Sequence, residues 1–144
     1  MVYNILQQTL QNTFFRKVLQ TTAHQQLVVM SLKPLEDIGM EVHPAVDQFI
    51  RIEKGTGKFI LDGVETDVMD DSAFIIPAGS QHNVINTSET EPMKLYTVYS
   101  PPNHPDGRIN ETKPAGDLKN TVILGGGTIS DATRESRLSV SDQR

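Results

Sequence analysis

Short runs of alternating apolar and polar residues recur along the first two thirds of this chain, separated by turn-forming residues. Regular spacing of such runs, with Gly, Asp and Pro between them, is typical of an all-β sandwich or small barrel. The Asp62-Gly63 pair is a strong signal for a two-residue hairpin. The pattern predicts eight strands, at 14–19, 26–32, 47–53, 57–61, 64–69, 73–76, 82–85 and 94–99.

The two ends of the chain differ from this strand-rich middle. Residues 4–12 are rich in Gln and predict either a short helix or an additional edge strand. A loop with three prolines follows Tyr99, and the polar segment beyond it contains the apolar run Val122-Ile123-Leu124. We therefore divide the chain into an N-terminal extension (1–13), a β barrel (14–107) and a polar C-terminal tail (108–144). The tail is either flexible or docks through its apolar run onto a subunit edge.

Composition narrows the class of protein. A chain of 144 residues with 37% hydrophobic and 22% charged residues fits one globular domain. It has no cysteine, which excludes disulfides and thiolate ligands. The net charge of −5 and the lack of a Lys/Arg cluster argue against nucleic acid as a partner. No apolar run is long enough to cross a membrane, and no secretion signal opens the chain, so we expect a cytoplasmic protein.

Two segments carry side chains suited to metal binding. Pro77 and Gly79 mark a tight turn, and His82 then opens a new strand. Glu41 and His43 lie two residues apart, so a strand places both on one face. Two imidazoles and a carboxylate at strand ends can form a metal site.

Gln48 is the fourth candidate ligand. Pro44 breaks the register of the preceding strand, after which Gln48, Ile50 and Ile52 share the face best suited to a barrel interior. Gln48 then either binds the metal directly or orients a ligand. A mixed nitrogen and oxygen set favours a divalent transition metal such as Fe, Mn, Ni or Zn over Mg or Ca.

The spacing around His82 resembles the second motif of the cupin family. Pro77, Gly79, His82 and Asn86 all stand at the family's spacing, and Asp71 replaces its leading glycine.

The first cupin motif matches less completely. Gly55 and His43 fit, Glu41 occupies the position of the first histidine and Gln48 occupies that of the glutamate, while Gly39 lies nearer to Glu41 than the pattern asks. The resemblance extends over roughly residues 14–107.

This resemblance implies a double-stranded β-helix, or jelly-roll, barrel that forms homodimers and binds a small-molecule ligand. Phe49 and the run from Val28 to Met30 are the surface that we expect to pair two subunits. Single-domain cupins include dioxygenases, decarboxylases, sugar isomerases and epimerases, so the fold leaves the reaction open. Phosphosugar chemistry fits poorly, because few Lys or Arg residues are expected to face inward.

Three functions therefore remain open. The first is a metal-dependent oxidoreductase, lyase or isomerase that acts on a small oxygen-rich molecule. The second is a non-catalytic binding or sensing module with a structural or ligand-anchoring metal, and the third is a barrel with an empty site. His104, in the proline-rich loop, is either the general acid or base of the first function or a surface histidine.

Overall fold

The apolar and polar alternation of the sequence becomes an alternation of buried and exposed side chains in the computed structural model, which describes residues 1–115. The strand Met93–Ser100 buries every second residue along its whole length. Ile50 and Ile52 are fully buried two residues apart on a neighbouring strand. Burying each such side chain stabilises the fold by roughly 1.5–3 kcal/mol. The alternation is therefore the main determinant of which side of a strand faces the core.

Within residues 1–115, one helix precedes ten strands. The elements are α1 (Ile5–Gln11), β1 (Arg16–Thr21), β2 (Gln26–Leu32), β3 (Glu41–Val42), β4 (Asp47–Lys54), β5 (Gly57–Leu61), β6 (Val64–Val68), β7 (Ala73–Ile76), β8 (Gln81–Asn86), β9 (Met93–Ser100) and β10 (Ile109–Asn110). The sequence predicted β2, β5 and β7 residue for residue. The prediction that Val122–Leu124 docks onto a subunit edge lies outside the described residues.

The strands form two antiparallel sheets that face each other. The first has the order β10-β1-β2-β9-β4-β7, and the second has the order β3-β8-β5-β6. Apolar side chains from both inner faces build the core, and the rings of Phe59 and Phe74 stack across it at 3.9 Å. The all-β jelly-roll prediction is therefore confirmed. The first sheet also includes β10, which pairs with β1 and lies beyond residue 107.

The N-terminal segment forms a helix rather than an edge strand. The Asn4 side chain caps α1 by accepting a hydrogen bond from the Gln7 backbone N–H at 3.0 Å. The helix packs against β2, β4 and β9 of the first sheet.

The predicted pairing surface needs a correction. Val28, Val29 and Met30 are 0–1% exposed within the single chain, so the prediction that this run is exposed is wrong. Val28 and Met30 belong to the core between the sheets, while Val29 points to the face on which α1 packs. Phe49 on β4 remains half-buried. The homodimer stays a prediction.

Two turns contain residues with positive φ. Asp62 and Gly63 both have positive φ, 47° and 84°, as the predicted hairpin between β5 and β6 requires. Asp71, which replaces the glycine of the second motif, has a φ of 70°. Aspartate is among the few side chains that tolerate this left-handed conformation, so the replacement keeps the turn.

Among the described residues, no helix is both long and apolar enough to span a membrane.

Candidate metal centre

Strand pairing brings the first two candidate ligands together. Glu41 on β3 is the direct cross-strand partner of His82 on β8. Side chains of directly paired residues lie on one face of a sheet, so the carboxylate and the imidazole both point between the two sheets. Residues 41 positions apart in sequence therefore become neighbours through the register of one short strand pair.

Two hydrogen bonds donated by backbone N–H groups fix the turn that precedes β8. The Gly79 N–H donates to the His43 carbonyl at 2.9 Å, which ties the end of β3 to this turn. The Ala78 N–H donates to Asp47 Oδ1 at 2.8 Å. His43 is therefore held beside His82 by the turn that the proline and glycine spacing predicted.

The three side chains converge in the structure. Glu41 Oε1 lies 3.4 Å from His43 Nε2 and 3.9 Å from His82 Nε2, and one ligand atom from each residue lies within 4.8 Å of the others. Both histidines are buried, at 7% and 2% exposure. Such a cluster can hold a metal ion.

The tautomer of His82 follows from its contacts. His82 Nδ1 lies 3.0 Å from the Ser80 carbonyl, which can only accept, so the proton is on Nδ1. The Nε2 lone pair then faces Glu41 and is available to a metal. A backbone carbonyl on the far ring nitrogen is the usual support of a metal-binding histidine.

Gln48 lies on β4, in the sheet opposite Glu41 and His82. Its side chain is 2% exposed, and its Nε2 donates to Thr97 Oγ1 at 3.0 Å. Within residues 1–115, three buried atoms of these side chains have no well-formed hydrogen bond: Gln48 Oε1, His43 Nε2 and His82 Nε2. Buried polar atoms without partners are costly, and all three are atoms that bind metals.

Electrostatics favours an ionised carboxylate and a neutral imidazole. Burial alone would raise the pKa of Glu41, but the contact with His43 and the charges of His82 and Arg16 outweigh it, so the pKa is lowered. Burial lowers the pKa of His82 to about 4, and the neighbouring His43 acts in the same direction. Metal binding requires these two protonation states.

His104 is buried rather than on the surface. It is 8% exposed, and its ring meets the Tyr99 ring edge-on at 5.2 Å, while Tyr99 in turn lies 6.0 Å from the His43 ring. His104 Nε2 lies 3.3 Å from the Tyr99 hydroxyl and 3.4 Å from Asn103 Nδ2, which can only donate. This places the ring proton on Nδ1, which has no hydrogen-bond partner among the described residues.

Arg16 is a functional candidate that the sequence reasoning missed. It is 3% exposed, on the same face of β1 as the core residue Val18, and donates to Asn110 Oδ1 at 2.8 Å. Its charge lowers the pKa of both Glu41 and His104. The spacing of two residues between Arg16 and Val18 predicts that both side chains lie on one face of β1. The apolar Leu19 lies on the other face, so the sequence does not show which face is buried.

Cavities lined by described residues include two open ones along the outer face of the first sheet. One, of about 390 Å³, touches Gln48 and is otherwise lined by Gln25, Asp47, Phe49, Ile75, Val98 and Ser100. The other, of about 290 Å³, lies beside Tyr3 and shares Gln25 and Val98 with the first. Neither is lined by Glu41, His43 or His82.

Comparison with known proteins agrees with this architecture. The family model described as "Cupin domain" matches residues 28–99. The chain belongs to the cupin family. The matched range includes all four predicted metal ligands of this cupin.

Relatives of this cupin occur in a virus and in bacteria. An uncharacterised protein of Acanthamoeba polyphaga mimivirus is 47% identical over an alignment of 131 residues; the match covers 83% of this chain and 81% of the viral protein. The uncharacterised protein YrkC of Bacillus subtilis is 51% identical over an alignment of 118 residues; the match covers 78% of this chain and 63% of YrkC. A crystal structure from Bacillus halodurans has a TM-score of 0.76 at 44% identity, covering 78% of this chain and 89% of that one.

Proposed function

We propose that this cupin is a metal-dependent enzyme that acts on a small oxygen-rich molecule. Glu41, His43 and His82 bind a divalent transition metal, one of Fe, Mn, Ni or Zn, and Gln48 Oε1 supplies a fourth donor. The reaction is of the dioxygenase, decarboxylase or isomerase type.

The convergence of three ligand atoms within 4.8 Å is the observation that supports this proposal most. The donor set fits the metal, because one carboxylate and two imidazoles combine charge neutralisation with nitrogen donors. A bound divalent ion supplies Lewis acidity, which polarises a substrate oxygen and favours its anionic form.

The ligand charges define the class of molecule that fits. A divalent ion with Glu41 as its anionic ligand keeps a net charge near +1, and Gln48 adds no charge. A carboxylate or enolate with a second oxygen nearby therefore complements the site.

His104 is the proposed proton-transfer group. The Nδ1 atom of His104 is buried, and the Tyr99 ring packs between the rings of His104 and His43. Burial and the Arg16 charge lower the pKa of His104, so the ring is neutral near pH 7 and holds one exchangeable proton, on Nδ1.

Elemental analysis of protein purified without a metal-affinity column tests the metal site. We expect close to one transition metal per chain in the wild type and little in His82→Gln or Glu41→Gln. His24→Gln is the matched control, because His24 is exposed. Equal metal content in the wild type and His82→Gln would contradict the proposal.

A non-catalytic binding or sensing role is the second candidate. The near-complete burial of the ligands favours it, because His43, Gln48 and His82 are only 2–7% exposed and leave little access for substrate exchange. Iron-loaded protein incubated with 2-oxo- and 2-hydroxycarboxylates separates the two: turnover that depends on His104 supports the enzyme, and retention of an unchanged compound supports the sensor.

A further inference from the structure

One buried side chain holds the loop that carries His104. Residues 101–104 follow β9 outside any strand. Gln26 Oε1 accepts the backbone N–H groups of Asn103 at 3.1 Å and His104 at 2.9 Å. Gln26 Nε2 donates to the His104 carbonyl at 2.7 Å and to Thr21 Oγ1 at 2.9 Å.

These four hydrogen bonds use the full capacity of a side-chain amide. Gln26 is 0% exposed, so water does not compete with them. Its β2 position is the direct partner of Tyr99 on β9, whose hydroxyl contacts the His104 ring. The amide therefore fixes the backbone of His104 while the adjacent strand fixes one side of its ring.

The geometry points to Gln26 as the positioning residue for His104, which sets the location and tautomer of that ring relative to the metal centre. The inference deepens the proposed function and rests on it for the role of His104. Sheet pairing holds Glu41 and His82, whereas His104 lies on irregular backbone and depends on the Gln26 amide for its place. Gln26 acts through His104 and contacts no predicted ligand directly.

Histidine-selective NMR tests this inference, because the chain has 4 histidines and each ring can be assigned by substitution. The variants are Gln26→Met, which removes all four hydrogen bonds, and Gln26→Glu, which keeps the acceptor but loses the donor to His104. Asn86→Asp is the matched control, because Asn86 is also a fully buried amide that holds loop carbonyls, at the far end of β8. Ring ¹⁵N shifts report the tautomer, and amide exchange reports the loop.

We expect the wild-type His104 ring to be the neutral Nδ1–H form. Gln26→Met should mix the two tautomers and speed exchange of the Asn103 and His104 amides about tenfold or more, since a lost hydrogen bond of ordinary strength corresponds to roughly that factor. Gln26→Glu should have an intermediate effect, and Asn86→Asp should change neither signal. Should Gln26→Met fail to fold, the Gln26→Glu comparison decides.

Addition of Co²⁺ relates the ring to the metal centre. Loaded wild-type protein should show hyperfine shifts at His43, His82 and His104, with the His104 shift altered in Gln26→Met. A folded Gln26→Met protein with wild-type His104 shifts and exchange rates would overturn the inference. Unchanged His43 and His82 signals on Co²⁺ addition would instead contradict the proposed function. The effect of the Gln26 variants on the His104 ring and loop in metal-free protein would remain valid.

Discussion

Acidification should destabilise the metal-free protein through His82. Burial lowers the pKa of this imidazole to about 4, against 6.5 for an unperturbed histidine. Between these two values the unfolded chain binds a proton that the native protein does not, so stability falls as the pH falls through 6.5 toward 4. From about pH 7.5 to about pH 5, linkage gives a loss of about 2 kcal/mol from this one group.

Other groups either add to the loss or act outside this range. Burial also lowers the pKa of His104, which contributes with the same sign. The lowered pKa of Glu41 stabilises the native state above its ordinary value of 4.5, and this contribution is lost only at lower pH. A comparison of wild type with His82→Gln therefore isolates the contribution of His82 to the pH dependence of the unfolding free energy.

Urea unfolding of chelator-treated protein at the two pH values measures the effect. The loss of unfolding free energy on acidification should be about 2 kcal/mol smaller in His82→Gln than in the wild type. His24→Gln, at an exposed position, should follow the wild type. If His82→Gln loses as much stability as the wild type, the native imidazole is protonated near pH 5 and the burial argument is wrong.

Two further substitutions test the framework that holds the site. Gly57→Ala should cost about 2 kcal/mol or more by thermal or urea unfolding, because the new Cβ would overlap the Ile85 carbonyl and lie 2.5 Å from Met93 Cε. Asn86→Ala should cost about 2–4 kcal/mol in the same assays, since the Asn86 amide donates to the carbonyls of Leu32, Lys33 and Glu91 and their loss leaves buried acceptors unpaired. In both variants the metal content of the folded fraction should equal that of the wild type.

The sequence was informative where a local rule determined the geometry. The Asp62-Gly63 pair specified its hairpin, because few residues other than Gly, Asn and Asp accept positive φ. The spacing of Pro77, Gly79 and His82 placed an imidazole at the start of a strand, where the structure has it. The convergence of Glu41, His43 and His82 was also predictable. The alternation of side chains along a strand and the position of the turn determine which side chains point between the sheets.

Features that depend on tertiary packing were not predictable. The burial of Val29 results from α1 packing on the sheet, and the sequence of the strand carries no sign of that helix. β10 has only two residues, too few for any period to be visible. The burial of His104 depends on three hydrogen bonds between its loop and the Gln26 side chain. Sequence alternation alone identifies Gln26 only as an inward-facing amide.

The two departures at ligand positions of the first cupin motif compensate each other in charge. Glu41 stands where the pattern has histidine, and Gln48 stands where it has glutamate, so the proposed set keeps one carboxylate. In the structure these residues lie on opposite sheets, on β3 and β4, so the negative charge has moved from the first sheet to the second. The total ligand charge is unchanged, and the position of the carboxylate around the ion differs.

Exchange of the two residues tests this compensation. Glu41→His alone removes the carboxylate and should weaken Zn²⁺ binding by more than the 10- to 100-fold typical of supporting residues. Gln48→Glu alone adds a second anionic ligand and should strengthen it, because opposite charges attract strongly in a buried site. The double variant restores one carboxylate and should bind Zn²⁺ within about tenfold of the wild type, as competition with a chromogenic chelator can measure. If Gln48→Glu does not rescue Glu41→His, then Gln48 Oε1 lies outside the coordination sphere, and the unpaired oxygen beside Thr97 has another role.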